Sequence, residues 1–333
     1  MATVSKTQYK TRKSRTLQSI RTYSISSFSL KEFAIKEFRN CRFYRLFGLW
    51  PASESELSDI LNERAFSPCG VLAQNSAGFE APVSENPDTL CRRVGGADLL
   101  QLRLQSRILP AAAVNEALSE RIDAFSRRTG SSPTRQEARE LKEEIYSQLL
   151  PQALLKSDRI AAMYLKAEEI LAVGTVSEKA AEMLVDNLSE STGQRFAPVV
   201  FKRPTHEFMD AILLGKGPEE FTLGRECRMR DPDDYSTTVS WQDIELADRS
   251  VRQHLHDGLQ LDRLGLNFDH TVQFSLDTDL AIRKFNFPGE KDFDAPFAEE
   301  DPLARLDADI ALTAGTMTRL FRALRKRMGD YGI

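Results

Sequence analysis

The chain has 333 residues, of which 41% are hydrophobic and 28% charged, as is ordinary for a globular protein with one large core or several smaller ones. No stretch approaches about 18 uninterrupted apolar residues, so a membrane-spanning helix is not expected. The net charge of −4 argues mildly against a nucleic-acid binder, unless the basic residues gather on one face.

Residues 1–37 differ in composition from the rest of the chain. Residues 1–28 contain no acidic residue and are rich in Ser, Thr, Lys and Arg. A basic disordered tail, or translated sequence upstream of a mis-assigned start, is favoured for this segment. A functional basic arm on DNA and an organelle-targeting peptide are the open alternatives.

Ordered structure is expected to begin near Phe38. Residues 41–47 predict a strand, 53–64 a short helix, and 99–109 a half-buried strand in which apolar and polar side chains alternate. These elements are assigned to the first part of a central domain over residues 38–109.

A helical hairpin is predicted over residues 110–156. The apolar side chains of its first helix recur at helical spacing: Val114, Leu118, Ile122 and Phe125. After a break at 130–133, Thr134 and Glu137 match a capping box that starts the second helix. Residues 153–155 are predicted to resume the helical pattern.

The remaining segments predict strands mixed with helices, without regular βαβ alternation. Strands are predicted at 160–165, 170–176, 198–201, 221–230, 259–268, 272–276, 280–287 and 308–313, and helices at 177–188 and 205–214. Residues 241–243 are expected to lead into a further helix that runs through about His256. A terminal helix presents an apolar face of Met317, Leu320, Phe321, Leu324 and Met328. The prediction is an α+β fold with antiparallel sheets. Residues 157–230 complete the central domain, and 231–333 form a C-terminal β-meander plus helix.

Motifs for catalysis or cofactor binding are missing from the sequence. No phosphate-binding loop, dinucleotide fingerprint or G-x-S-x-G elbow is present, so no cofactor is predicted. The four cysteines form no C-x-x-C pair, and free buried thiols are favoured over disulfides: Cys41, Cys69, Cys91 and Cys227. The four histidines are interpreted as solvated, although a Cys-His pair formed in space stays open.

Two carboxylate pairs are candidate metal ligands of a nuclease: Asp277 with Asp279, and Asp307 with Asp309. A turn at the first pair and a strand entry at the second are the favoured interpretations. The protein is therefore not expected to be an enzyme or to hold a metal.

Several short motifs of the chain are similar to those of one known family. Residues 38–46 read F-R-N-C-R-F-Y-R-L, similar to that family's F-K-N-x-x-x-Y-R-L, and residues 65–70 read A-F-S-P-C-G, similar to A-F-x-P-C-G. Residues 305–309, R-L-D-A-D, resemble R-F-D-A-D, and residues 313–315 resemble a further family element. From about residue 38 to 329, the chain thus resembles the RdgC family of recombination-associated proteins.

This resemblance implies a subunit of a ring-shaped homodimer. Two crescents would meet at the helical hairpin and at the opposite end, around a hole wide enough for duplex DNA. It further implies binding of single- and double-stranded DNA with little sequence preference, restraint of RecA-type strand exchange, and a place in the cytoplasm at the nucleoid. The alternative is a protein-interaction module that acts on a recombinase or replication protein without gripping DNA.

Basic residues that we expect to face the hole are Arg127, Arg128, Arg135, Arg139, Lys156, Arg159, Arg228 and Arg230. Where the family has Lys-Lys-Gln-Asp, this chain has S-W-Q-D at 240–243, which keeps Gln242 and loses two basic side chains. Trp241 is expected either to stack on an unpaired base or to pack in the core.

Dimer contacts are expected at two apolar faces. On the hairpin they involve Leu118, Ile122, Phe125 and Leu154, the last at a position where relatives carry an aromatic residue. On the terminal helix they involve Leu320 and Leu324. Packing within the subunit's own core is the alternative for both faces.

Overall fold

The computed structural model describes residues 36–83, 86–234, 236–287 and 301–332. The predictions made for residues 1–35 lie outside these residues. The strands are β1 (Arg42–Phe47), β2 (Asn75–Glu80), β3 (Cys91–Val94), β4 (Ala97–Ile108), β5 (Leu154–Leu165), β6 (Ile170–Val173), β7 (Arg195–Pro198), β8 (Phe221–Arg230), β9 (Thr238–Gln242), β10 (Gln260–Phe268), β11 (Val272–Asp277) and β12 (Ile282–Asn286). The α-helices are α1 (Glu54–Asn62), α2 (Ala111–Thr129), α3 (Arg135–Leu149), α4 (Glu178–Thr192), α5 (Thr205–Leu213), α6 (Arg249–His256) and α7 (Pro302–Met328).

The strands form two curled antiparallel sheets, so the predicted α+β class is confirmed. The N-terminal sheet has the order β2-β4-β5-β6-β1-β7, with β3 paired to β4, and the C-terminal sheet has the order β12-β11-β10-β8-β9. Two backbone hydrogen bonds of 2.9 Å between Cys41 and Ile282 join β12 to the chain just before β1. Since β8 pairs with β9, the C-terminal sheet begins at Phe221, and the boundary expected at 230/231 falls between paired strands.

A single core joins both sheets to α7. It includes Phe43 of β1, Met163 of β5, Leu264 of β10 and Phe321 of α7, all nearly inaccessible to solvent. A second core lies on the other face of the N-terminal sheet, where α1 and α4 pack against β4 and β5. The N-terminal sheet is therefore covered on both faces near its centre.

Helix α7 corrects the prediction of a last strand over residues 308–313. The helix runs without a break because its buried side chains continue at helical spacing through Leu306, Ile310 and Ala314. Asp301 caps it by accepting a hydrogen bond from the backbone N–H of Leu303, at 3.1 Å. Leu320 and Leu324 on the same face are fully buried, which agrees with the core alternative rather than with a dimer contact.

The helical hairpin α2–α3 is confirmed. Gly130, at φ +74°, ends α2 in the left-handed conformation, and Thr134 with Glu137 forms the predicted capping box of α3. Each of the two helices has a single buried residue, Val114 or Ile145, so the hairpin packs mainly on itself. It extends from the end of the β4–β5 ribbon, whose strands pair over twelve residues.

Three other predictions need correction. Residues 154–155 do not resume a helix, because Leu154 pairs with Ile108 as the first residue of β5. Trp241 lies in β9, and helix α6 begins only at Arg249, where Asp248 accepts a hydrogen bond from the N–H of Ser250 at 2.8 Å. The strand expected at 198–201 is β7, three residues earlier.

Candidate nucleic-acid interface

The face of the C-terminal sheet turned away from the core is polar and rich in arginine. In β8, Cys227 and Met229 point into the core, so the alternation of a strand places Arg228 and Arg230 on the opposite, open face. Neighbouring strands add further basic and acidic side chains to this face. The basic ones are Arg228, Arg230, Arg263, Arg283 and Lys284, and the acidic ones are Glu226, Asp262 and Asp277.

Each carboxylate of this open face is engaged by at least one basic side chain. Asp277 accepts hydrogen bonds from Arg263 at 2.5 Å and from Arg283 at 2.6 Å. Asp262 binds Arg228 and, at 2.8 Å, Arg230. Sharing one carboxylate between two arginines fixes the guanidinium groups and leaves the face with an excess of positive charge.

Glu226 forms the third centre of this network. It binds Lys284 of β12 and accepts a hydrogen bond from the hydroxyl of Ser275. Burial alone would raise the pKa of this carboxyl group, but the hydrogen bonds from Lys284 and Ser275 outweigh it and lower the pKa below 4.5. Glu226 is therefore ionised at neutral pH and holds Lys284 at the edge of the open face.

A second basic area lies on the β4–β5 ribbon. Arg103 and Arg159 are cross-strand partners, and both form ion pairs with Glu80 of β2. Arg107 differs from them, because its guanidinium donates only to backbone carbonyls in the described ranges, those of residues 70, 150, 151 and 153, at 3.2–3.4 Å. The base of the hairpin thus carries a fixed positive charge without a carboxylate.

The structure separates the basic residues predicted for DNA binding into different regions. Four of them lie exposed around the distal half of the hairpin: Arg127, Arg128, Arg135 and Arg139. Arg139 pairs with Glu143 at 3.2 Å, as its spacing predicted. Lys156 pairs with Asp158 at 2.8 Å, and strand alternation puts it on the face of β5 opposite to Arg159. Only Arg228 and Arg230 belong to the open face of the C-terminal sheet.

Trp241 follows the packing alternative. It is half-buried against the main core, with its ring 5.1 Å from that of His254 in α6. Its cross-strand partner is the buried Cys227, whereas Gln242 is exposed and faces Glu226. Sequence reasoning had not selected Arg103, Arg107 or Arg263, although polar positions of the sequence pattern in β4 and β10 contained the signal. It had also not selected Arg283 of β12.

An apolar patch remains uncovered where the hairpin meets the ribbon. Ile108 and Leu154, which are both exposed, are cross-strand partners on one face of the ribbon, whereas Leu155 lies on the other face and the exposed Val71 and Leu72 lie in a neighbouring loop. The loop that carries the first two adjoins the ribbon through a 2.8 Å hydrogen bond from the N–H of Arg107 to the carbonyl of Gln74. A shallow cavity of about 250 Å³, lined by Ile108, Leu149 and Leu154, opens beside the patch. Hairpin residues Leu118, Ile122 and Phe125 are half-buried between the two helices.

The carboxylate pairs considered as metal ligands are engaged otherwise. The carboxylate of Asp277 binds two arginines. The predicted turn follows it and closes with a 3.0 Å hydrogen bond from the N–H of Leu280 to the backbone carbonyl of Asp277. Asp307 lies on α7, not at a strand entry, and accepts two hydrogen bonds from Arg92 at 2.5 and 2.9 Å. Among the described residues, no group of three or more His, Cys, Asp or Glu side chains is placed to hold a metal ion.

The four cysteines are free and buried, as predicted. Burial raises the pKa of Cys41, Cys91 and Cys227 to about 12, so these thiols are protonated at neutral pH and are poor nucleophiles. Within the described ranges, no helix is long and apolar enough to cross a membrane.

These features define a class of protein: an α+β subunit of two antiparallel sheets, with an arginine-rich open face and a projecting helical hairpin whose base is apolar. The model of one protein family, described as "Putative exonuclease, RdgC", matches residues 37–331. The chain belongs to the RdgC family, which confirms the resemblance seen in its motifs.

Similar proteins named "Recombination-associated protein RdgC" come from several bacteria. The one from Aeromonas hydrophila subsp. hydrophila is 30% identical over 294 residues, which cover 87% of this chain and 97% of the relative. The one from Xylella fastidiosa (strain M23) is 31% identical over 274 residues, which cover 81% and 91%. The description of the family thus names an exonuclease, and the names of the relatives refer to recombination.

Proposed function

We propose that this protein binds single- and double-stranded DNA without reading its sequence, encircles it as a dimeric ring, and thereby restrains RecA-type recombination. The observation that carries the proposal is the open face of the C-terminal sheet, where five basic side chains share three carboxylates. The cytoplasm at the nucleoid is the corresponding location. The name of the relatives, which refers to recombination, agrees with this role.

Guanidinium groups on a sheet face suit the DNA backbone more than the base edges. Phosphate oxygens compete with Asp262 and Asp277 for the same donors, and each neutralised phosphate releases counterions. Contacts of this kind position a protein on DNA and carry no sequence information. The arginines of the ribbon, Arg103, Arg107 and Arg159, would extend the same path toward the hairpin.

The exposed apolar patch at the base of the hairpin supports the dimer contact. Leu154 is 77% exposed and Leu72 75%, which is costly for large apolar side chains in a lone subunit. A second copy that covers Leu154 and its cross-strand partner Ile108 would remove this surface from water. Together with a contact at the opposite end, it would close a ring and retain DNA topologically.

The experiment that tests the DNA face replaces Arg228 and Arg263 by glutamine, singly and together. Each change removes one phosphate-binding group, so we expect the affinity for duplex DNA to fall. The slope of log affinity against log salt should become shallower by about 0.9 for each phosphate that is no longer neutralised. Arg64→Gln is the matched control. Arg64 forms an ion pair with Glu190 of α4, on the face of the N-terminal sheet that α1 and α4 cover.

Two results would overturn the proposal. Equal binding by the double variant and the wild-type protein would show that DNA does not use this face. Capture of a recombinase or replication protein, with no affinity for DNA at low salt, would favour the protein-interaction alternative. The exonuclease description of the family is tested in the same samples, because magnesium-dependent shortening of an end-labelled strand would contradict a purely binding role.

A further inference from the structure

The far end of β1 carries an exposed aromatic ring beside two guanidinium groups. Phe47 is 41% exposed, and the guanidinium carbons of Arg45 and Arg195 lie 4.9 and 5.0 Å from the centroid of its ring. Alternation along β1 puts Arg45 and Phe47 on one face, and the register with β7 sets Arg195 directly opposite Phe47. The guanidinium of Arg45 also lies 4.4 Å from the ring centroid of Tyr331.

These two arginines are not neutralised by acidic side chains. In the part of the chain that the structure describes, Arg45 and Arg195 form no ion pair, and their guanidinium groups lie against aromatic rings. The arginines of the open face differ, since each of them shares a carboxylate. A guanidinium stacked on a ring keeps its N–H donors at its edge, where they are available to an anion.

This cluster is distinct from the open face of the C-terminal sheet. That sheet joins the chain at Cys41, just before β1, and Phe47 lies six residues further along, a distance of about 20 Å in a strand. A nucleic acid bound at the cluster therefore makes contacts that the arginines of the open face cannot supply.

The neighbouring strand edge argues against an added peptide strand. β7 is four residues long, pairs only with β1 among the described strands, and ends at Pro198, which has no N–H to donate. An exposed ring with two free guanidinium groups instead suits a nucleotide, because a base offers a flat face and its phosphate offers a charge. The faces of bases within a duplex are covered by their neighbours, so the ring favours an unpaired nucleotide.

We propose that Phe47, Arg45 and Arg195 bind an unpaired nucleotide of single-stranded DNA, with its base on the ring and its phosphate on the guanidinium groups. Arg195 is exposed and, among the residues that the structure describes, its guanidinium interacts only with the ring, so it moves to the phosphate and leaves a ring face for the base. The inference rests on the proposed function for DNA binding and adds to it a site selective for single strands.

The test compares Phe47→Leu with the wild-type protein on an oligothymidylate of about 30 nucleotides and on a duplex of the same length. Leucine keeps an apolar side chain but removes the ring, so we expect the affinity for the single strand to fall about fivefold or more. Binding of the duplex should stay within about twofold of wild type, because the open face is untouched. Arg195→Gln should weaken single-strand binding in the same direction, whereas Arg228→Gln should weaken duplex binding.

A second variant separates stacking from an effect on folding. Phe47→Trp keeps a ring, so it should retain the single-strand affinity and show fluorescence quenching on addition of oligothymidylate, beyond the change seen from Trp50 and Trp241 in wild type. Unchanged single-strand binding by Phe47→Leu, or an equal loss on both DNAs, would overturn the inference. Displacement of oligothymidylate by polyglutamate at a similar concentration would also overturn the inference, because it would mean that the site binds any polyanion. Failure of wild-type duplex binding would instead overturn the proposed function, and the single-strand comparison would still test the cluster.

Discussion

Removing Asp277 should tighten DNA binding while it weakens the fold. Asp277→Asn keeps the size of the side chain but deletes the negative charge that Arg263 and Arg283 share at 2.5 and 2.6 Å. A charge about 6 Å from a phosphate costs roughly 0.7 kcal/mol in a water-like dielectric, so its loss should raise duplex affinity about threefold. With both guanidinium groups free to engage phosphates, the salt slope should steepen by about 0.9.

The same substitution has a predictable cost in stability. Asp277 has a side chain only 9% exposed, and hydrogen bonds to charged groups contribute about 1.5–3 kcal/mol each. We therefore expect the free energy of unfolding to fall by about 2–4 kcal/mol, which a domain of ordinary stability survives. Affinity is measured by fluorescence anisotropy across a salt series, and stability by urea denaturation. Weaker duplex binding by a variant that is still folded would contradict this expectation, because it would mean that Asp277 assists the DNA contact.

Three further outcomes are expected. Leu154→Asp should place a charge in the apolar patch and shift the protein from dimer toward monomer in light scattering, and a dimer of unchanged affinity would exclude this contact. Thr134→Ala should remove the N-cap of α3 and destabilise the hairpin by about 1 kcal/mol, seen as faster amide exchange in α3 and not in β10. The pKa of Glu226 is lowered from 4.5, so its ion pair stabilises the fold above that pH, and this stabilisation is lost as the pH falls below it. The free energy of unfolding of Glu226→Gln should therefore depend less on pH in acid denaturation than that of the wild-type protein. Identical profiles for the two proteins would contradict this expectation.

The sequence predicts those elements whose pattern is local. The strand β4, the capping box at Thr134 and the turn after Asp277 depend on neighbouring residues, and all three are found in the structure. The half-buried pattern expected for β4 is wrong, because residues 97–102 are buried on both faces of the strand. The strand β2 was missed because it lacks alternating apolar residues and contains Gly78. A Cβ at Gly78 would lie 2.5 Å from the Cα of Phe66, so close contact between backbones, not a hydrophobic pattern, places this strand.

The candidate site depends on contacts between distant residues, which no local pattern contains. Asp277 meets Arg263 only through the pairing of β10 with β11, and Lys284 meets Glu226 across the sheet. Trp241 lies on the core side of the C-terminal sheet because it pairs with the buried Cys227 in the neighbouring strand. Leu320 and Leu324 have the same helical spacing whether they contact a partner or a core, and only the tertiary packing decides for the core.

The most direct test of the account is the binding of the wild-type protein to a labelled duplex over a salt series, repeated with a scrambled sequence, with the mass determined by light scattering. We expect a dimer whose log affinity falls steeply with log salt, with the same slope and affinity for both sequences. Absence of binding at low salt, or a strong preference for one sequence, would contradict a ring of arginines that grips the DNA backbone.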